Sequence, residues 1–245
     1  MRSLLKIVPL LSLACVAPLY AETETPTSPT NYKPAIKEVA SGIYEINGVR
    51  IEKESRSVTV PCKVNMTQGL LEYLVVTDRG STHESLLITE TNPQDVHTAM
   101  LLLGAKGSET KDMDVPGQIN AEFLARAPKL TGEKINLTVQ WADNEGATQK
   151  AGIENWLIFK RAVKEEYKIS EVSEGPWIYT GSYFHEDKFM AQYDGLLASL
   201  VVNPMALINN PRPEAKEDMI WHVNPKSVPK YATAVQLIIK LEPAK

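Results

Sequence analysis

Two histidines and two glutamates form a compact polar group within otherwise apolar sequence. His83 and Glu84 begin one apolar run, His97 lies in another, and Glu72 stands shortly before them. Imidazole and carboxylate groups ligate zinc, iron or manganese, and two histidines with one carboxylate are an established metal-binding set. The sequence therefore offers His83, Glu84 and His97 as ligands for a divalent metal such as zinc, with Glu72 as an outer candidate.

A structural role is the favoured interpretation of the same residues. Neighbouring side chains of a strand point to opposite faces, so His83 and Glu84 reach one site only if the strand ends or bulges there. A buried polar group must also find a partner. We expect His97 to hydrogen-bond a strand carbonyl or Glu84 as a buried polar brace, and metal binding is the alternative.

Signatures of several common enzyme classes are missing from the sequence. It has no Gly-rich phosphate loop, no Gly-x-Ser-x-Gly elbow and no His-Glu-x-x-His helix. His185 and His222 lie beside predicted turns, where we expect exposure. Trp177, Trp221 and Tyr179 would suit a ligand groove, although aromatic residues in strands more often belong to the core. No catalytic residue is assigned.

The first 21 residues have the three-part order of a secretory signal peptide. Basic Arg2 and Lys6 precede an apolar run over 7–16, and a small residue, Ala21, ends the region. The run is shorter than the roughly 20 residues of a membrane-spanning helix. We expect cleavage after Ala21 and a secreted or periplasmic protein. Lipidation of Cys15, which follows Leu and Ala, is the alternative.

Charge and cysteine content exclude several classes of function. Removal of residues 1–21 leaves 24 basic and 30 acidic residues, a formal charge of −6. Nucleic-acid binding favours clustered Lys and Arg, so no nucleic-acid partner is expected. Cys62 is then the one remaining thiol, which excludes an internal disulfide and thiolate metal clusters within one chain. An intermolecular disulfide stays open.

The elements predict an α+β fold with strand-rich antiparallel sheets. Residues 22–40 are polar and proline-containing, as in a flexible linker, and 41–112 and 113–245 are two halves packed as one unit. Asn47-Gly48 predicts a hairpin between 43–46 and 49–51. The other predicted strands are 57–64, an antiparallel pair at 70–77 and 83–89, a C-terminal β-meander over 177–202, and a last strand at 233–241.

One well-capped, buried helix is predicted over about 93–103. Asn92 can cap it, Pro93 suits its first position, Asp95 favours the positive end of its dipole, and Gly104 can end it. Apolar residues recur at helical spacing between these signals, and they are Val96, Ala99, Met100 and Leu103, with Leu101 and Leu102 widening the apolar face.

Several segments together resemble the YdjY domain family of exported bacterial proteins. They are Gly48–Ile51, Val58–Pro61, Gly69–Tyr73, His83–Leu87, Val96–Gly104, Trp177–Ser182, Asn209–Pro211 and Trp221–Asn224. The resemblance implies export and a shared fold, and it supplies no reaction. Cys62 stands where the family would have a small residue such as Gly or Ala, which speaks against a general role for this thiol.

These observations lead to one expected function and one alternative. We expect a non-enzymatic exported module of the cell envelope that binds an unknown envelope protein or a small ligand, without a cofactor or a transmembrane span. The alternative is a metal-binding or metal-dependent protein that uses His83, Glu84 and His97.

Overall fold

Alternating apolar and polar residues build most of the described chain as β-strands. A computed structural model describes residues 32–108 and 130–243, so the predicted signal peptide and Cys15 lie outside the described residues. The described strands are β1 (Ile36–Ala40), β2 (Ile43–Ile46), β3 (Val49–Glu52), β4 (Ser57–Val64), β5 (Tyr73–Thr77), β6 (Ser85–Thr89), β7 (Glu133–Ala142), β8 (Thr148–Gly152), β9 (Leu157–Val163), β10 (Glu166–Glu171), β11 (Trp177–Tyr179), β12 (Phe184–His185), β13 (Lys188–Phe189), β14 (Leu196–Ser199), β15 (Ile208–Asn209), β16 (Trp221–Val223) and β17 (Ala234–Leu241). The described helices are α1 (Pro93–Leu102) and α2 (Met190–Tyr193), with 3-10 turns at Thr82–Glu84, Ile153–Trp156 and Pro213–Lys216. Within this described part, no helix is long and apolar enough to cross a membrane.

Eight strands form a closed ring of hydrogen-bonded neighbours. Their order is β4-β17-β7-β11-β15-β14-β5-β6, and β6 pairs back with β4. Val235, Leu237 and Ile239 of β17 alternate into the core, as period-two side chains of a one-sided sheet must. Outside the ring, β1–β3 extend from β4 and β8 pairs with β7, while β9, β10 and β16 form a separate three-stranded sheet.

The ring closes where β4 changes its partner along one edge. Residues 57–59 of β4 pair with β3, whereas residues 63–64 pair with β6. Pro61 lies between these two pairings, and proline has no N–H to donate to a ladder. Thr89 Oγ1 donates instead to the Pro61 carbonyl oxygen at 2.7 Å. Pro61 thus lies at the point where this edge of β4 changes its partner from β3 to β6.

The prediction of an α+β fold with antiparallel sheets and a C-terminal β-meander is wrong. Strands dominate the described chain, β5 and β6 pair in parallel, and β14 and β15 do so too. Residues 78–84 turn back along β5, and Gly80 packs closely against that strand. A Cβ added to Gly80 would lie only 2.8 Å from Val76 Cβ. Strands β11 and β14 are separated by β15 rather than paired. Hydrophobic alternation indicates a strand but does not specify its partner.

The helix prediction is confirmed at its start. Asn92 Oδ1 accepts a hydrogen bond from the backbone N–H of Gln94 at 2.8 Å, and Pro93 is the first helical residue. Leu101 and Leu102 are exposed, so the predicted widening of the apolar face is wrong. The helix packs against β3, β4 and α2.

Buried Asp95 connects α1 to the first hairpin. Its carboxylate accepts hydrogen bonds from Asn47 Nδ2, at 3.1 Å, and from the Tyr32 hydroxyl. Asn47 and Gly48 have φ values of 47° and 87°, as a two-residue hairpin turn requires, and β2 pairs antiparallel with β3 as predicted. β1 occupies the last residues of the segment predicted as a linker, and both predicted halves contribute strands to the ring.

Candidate ligand-binding cleft

The structure brings His83, Glu84 and Glu72 together on the surface. His83 Nε2 lies 3.3 Å from Glu84 Oε1, and the His83 side chain is 75% exposed. Both residues belong to a 3-10 turn that precedes β6, so they lie outside the strand. Glu72 donates its backbone N–H to the Glu84 carbonyl oxygen at 3.0 Å. Burial, and then the charge of Glu84, raise the pKa of Glu72.

His97 has different partners. Its Nδ1 lies 2.8 Å from the hydroxyl oxygen of Tyr179, and its ring centroid lies 4.9 Å from that of Phe189. Burial lowers the pKa of His97 to about 4, so the imidazole is neutral at pH 7. His97 thus joins α1 to β11 through a tyrosine hydroxyl, rather than through a strand carbonyl or Glu84 as expected.

The metal site at His83, Glu84 and His97 stays a prediction. Across residues 32–108 and 130–243, no three His, Cys, Asp or Glu side chains are arranged to hold a metal ion. Elemental analysis of protein purified without an affinity tag tests the prediction. Near-stoichiometric metal that is lost in His97→Ala would support it.

Other residues from the sequence have clear positions. Trp177, Trp221 and Tyr179 are fully buried, as expected for core aromatic residues. His185 is exposed as predicted, whereas His222 is half-buried on β16, where burial lowers its pKa.

A cleft of about 350 Å³ opens between the closed ring and the three-stranded sheet. Strands β7, β8, β9 and β10, the 3-10 turn at Ile153–Trp156 and the loop after β16 contribute to its wall. The side chains that define its chemistry are Trp141, Glu154, Asn155, Trp156, Glu171 and Asn224. Its volume lies within the usual range of small-molecule pockets.

Two indole rings pack against each other in the wall of this cleft. Ile135, Leu137 and Val139 of β7 are buried, and Trp141 is the next residue on the same strand face, where it is half-buried. Fully buried Trp156 meets it edge to face, with ring centroids 5.1 Å apart at 63°. Trp141 therefore presents aromatic surface to the cleft from a firmly packed base.

Glu154 is a buried carboxylate in the same wall. It is 4% exposed, and its Oε1 accepts hydrogen bonds from Trp177 Nε1 and Arg212 Nη2, both at 2.8 Å. Its Oε2 accepts no hydrogen bond from the described residues. The carboxylate is thus fixed in position while one oxygen keeps its capacity to accept.

Arg212 holds Glu154 while each of its three guanidinium nitrogens donates a hydrogen bond. Its guanidinium donates to the carbonyl oxygens of Ser173, at 3.0 Å, and Gly175, at 3.2 Å, and to Asn210 Oδ1 at 3.1 Å. The group also lies 5.2 Å from the centre of the Trp177 ring. Such a bound arginine fixes the carboxylate before any ligand arrives.

Asn224 ties the loop after β16 to the turn that carries Glu154. Its Nδ2 donates to the Asn155 carbonyl at 3.0 Å and to Ser227 Oγ at 3.1 Å, and its backbone N–H donates to the Trp156 carbonyl at 2.8 Å. The loop after β16 is therefore tied to the 3-10 turn, and the cleft is pre-formed.

Sequence reasoning did not find this cleft. Its only local signal is Glu154-Asn155-Trp156, which places a carboxylate, an amide and an indole within one turn. Trp141 and Asn224 come from distant parts of the chain, so only the fold brings them to that turn.

The family model described as the YdjY domain matches residues 49–240. The chain belongs to the YdjY domain family. This confirms the resemblance seen in the sequence, and the match to the YdjY domain includes every residue that defines the cleft. No curated protein and no solved structure matches the chain.

Proposed function

We propose that the chain is a non-enzymatic, exported binding module of the cell envelope. Its ligand occupies the cleft lined by Trp141 and Trp156, hereafter the tryptophan cleft. The observation that carries this proposal is the fixed Glu154 carboxylate beside Trp141 and Trp156. Ligand sites are typically pre-formed concavities with aromatic walls and a few placed polar groups. Export rests on the three-part leader at residues 1–21.

Binding fits the cleft better than catalysis does. A hydroxyl or thiol nucleophile needs a general base within hydrogen-bonding reach. Among the described residues, the lining includes no histidine, lysine or cysteine. Ser227 is its one hydroxyl group, and Ser227 Oγ accepts a hydrogen bond from Asn224 Nδ2 rather than donating to a base.

A thermal-shift measurement with small probes tests the proposed site. Butylammonium, butyrate and methyl glucoside represent cationic, anionic and neutral ligands. At ten times its Kd, a probe stabilises the folded protein by about 1.4 kcal/mol, which raises Tm by about 3–6 °C for a chain of this size. We expect such a rise with at least one probe.

Two variants assign the binding to the cleft. Trp141→Ala removes the half-buried indole of the cleft wall and should abolish the rise relative to its own probe-free Tm. Tyr231→Ala removes an aromatic side chain that is 71% exposed elsewhere, and the rise should persist. Equal rises in both variants, or no rise with any probe, would contradict the proposed site.

A further inference from the structure

We infer that the ligand of the tryptophan cleft carries a primary ammonium group on a short aliphatic stem. This inference rests on the proposed function and specifies its ligand class.

The charges around the cleft favour a cation. Glu154 and Glu171 line it, and no lysine or arginine of the described chain does. Glu174 lies close by, since its Oε1 and Glu154 Oε2 both fall within 4 Å of the position that a Cβ on Gly152 would occupy. A low-dielectric wall strengthens the attraction between such carboxylates and a bound ammonium group.

Glu154 supplies the specific acceptor. Its side chain is more than nine-tenths buried, and Oε1 is occupied by Trp177 and Arg212. Among residues 32–108 and 130–243 no group donates to Oε2, so this oxygen can accept a hydrogen bond from a ligand. Hydrogen bonds between charged groups are about twice as strong as neutral ones. An ammonium ion has three donors and no acceptor, so it suits this oxygen.

Arg212 does not make the site suitable for an anion. Its donors already contact Glu154, two backbone carbonyls and Asn210. An anionic ligand would meet the Glu154 and Glu171 carboxylates, whereas Arg212 does not line the cleft.

The rest of the wall suits the stem of an alkylammonium ion. Leu157 and Val172 contribute apolar surface, and Trp141 contributes an indole ring. Indole is the aromatic group that attracts cations most strongly.

Tryptophan-fluorescence titrations at constant ionic strength test the inference. The probes are butylammonium, neutral 1-butanol and anionic butyrate, which share the same alkyl stem. We expect butylammonium to bind at least about 10-fold more tightly than 1-butanol, because a hydrogen bond to a charged group accounts for a difference of that size. Butyrate should bind more weakly than either.

Matched variants locate the charge that selects the cation. Glu171→Gln should reduce the preference for butylammonium over 1-butanol, whereas Glu90→Gln, at a side chain 86% exposed on another surface, should leave it unchanged. Glu154→Gln should abolish the preference. If that variant does not fold, the Glu171→Gln titrations decide the test.

The outcomes separate this inference from the proposed function. Equal affinity for butylammonium and 1-butanol, or tighter binding of butyrate, would overturn the cationic ligand class. Binding of methyl glucoside alone, lost in Trp141→Ala, would leave the cleft as a binding site and overturn only the ammonium group. Absence of binding by every probe would overturn both.

Discussion

The neutral, half-buried His97 predicts that the protein loses stability between pH 7 and pH 5. Its Nδ1 is hydrogen-bonded to the Tyr179 hydroxyl, and burial lowers its pKa to about 4. An exposed histidine in the unfolded chain has a pKa of about 6.5. Below that pH the unfolded chain takes up a proton that the folded chain does not.

The two pKa values give the size and the pH range of the effect. The contribution to stability is fully present above about pH 6.5, falls as the pH drops towards about 4, and is constant below that. Between pH 7 and pH 5 the free energy of unfolding should fall by about 2 kcal/mol from this residue.

Urea unfolding at pH 7 and pH 5 measures this loss. His97→Gln cannot titrate and retains an oxygen that accepts from the Tyr179 hydroxyl, so its loss should be about 2 kcal/mol smaller than that of the wild type. His185→Gln, at an exposed histidine, should lose as much as the wild type. An equal loss in His97→Gln and the wild type would refute the assignment.

Three further predictions concern stability and reactivity. Arg212→Met leaves Glu154 buried without its ion-pair partner, whose side chain is only 12% exposed, and should lower the free energy of unfolding in urea by about 3–5 kcal/mol. Arg50→Met, at an exposed pair, should change that free energy by about 0.5 kcal/mol or less. Similar losses in the two variants would contradict the role of Arg212. Gly42 and Gly195 have similar φ values of 72° and 66°, but of these two only Gly195 would place an added Cβ against a neighbour, 2.8 Å from Gly80 N. Gly195→Ala should therefore lower Tm more than Gly42→Ala does. The opposite order would refute the close packing of Gly195 against Gly80. Burial raises the pKa of the Cys62 thiol to about 12, so a thiol reagent at pH 8 should label it only in urea, and rapid labelling of the folded protein would contradict its burial.

Features fixed by neighbouring residues could be predicted from the sequence. The Asn47-Gly48 turn and the Asn92 cap each depend on a few consecutive residues, and the structure has both. The alternation in β4 likewise places Val58 and Val60 in the core. These signals are local, so they do not depend on the partners that each strand finds.

Strand partners could not be predicted in the same way. The sequence Asp78–Ser81 suggests a hairpin turn, yet the chain crosses back and β6 runs parallel to β5. The close packing of Gly80 against Gly195 fixes that turn, and it joins residues more than a hundred positions apart. Hydrophobic periodicity contains no information about such contacts.

The same limitation applies to the candidate sites. The sequence predicts that His97 needs a partner, but that partner, Tyr179, lies 82 residues away. Trp141, Glu154 and Asn224 come from three separate segments, and each has an ordinary structural interpretation when considered alone. The cleft becomes visible only when β7, the 3-10 turn and the loop after β16 are packed together.

The most direct test of the cleft is an NMR titration of the tryptophan indole N–H signals with butylammonium. The chain has four tryptophans, and Trp141→Phe, Trp156→Phe and Trp221→Phe assign three of the signals. We predict that the Trp141 and Trp156 signals shift in a saturable manner, while Trp221, whose Nε1 donates to the Glu214 carbonyl at 3.1 Å outside the cleft, does not shift. Unchanged Trp141 and Trp156 signals, or an equal shift of Trp221, would contradict ligand binding in the cleft.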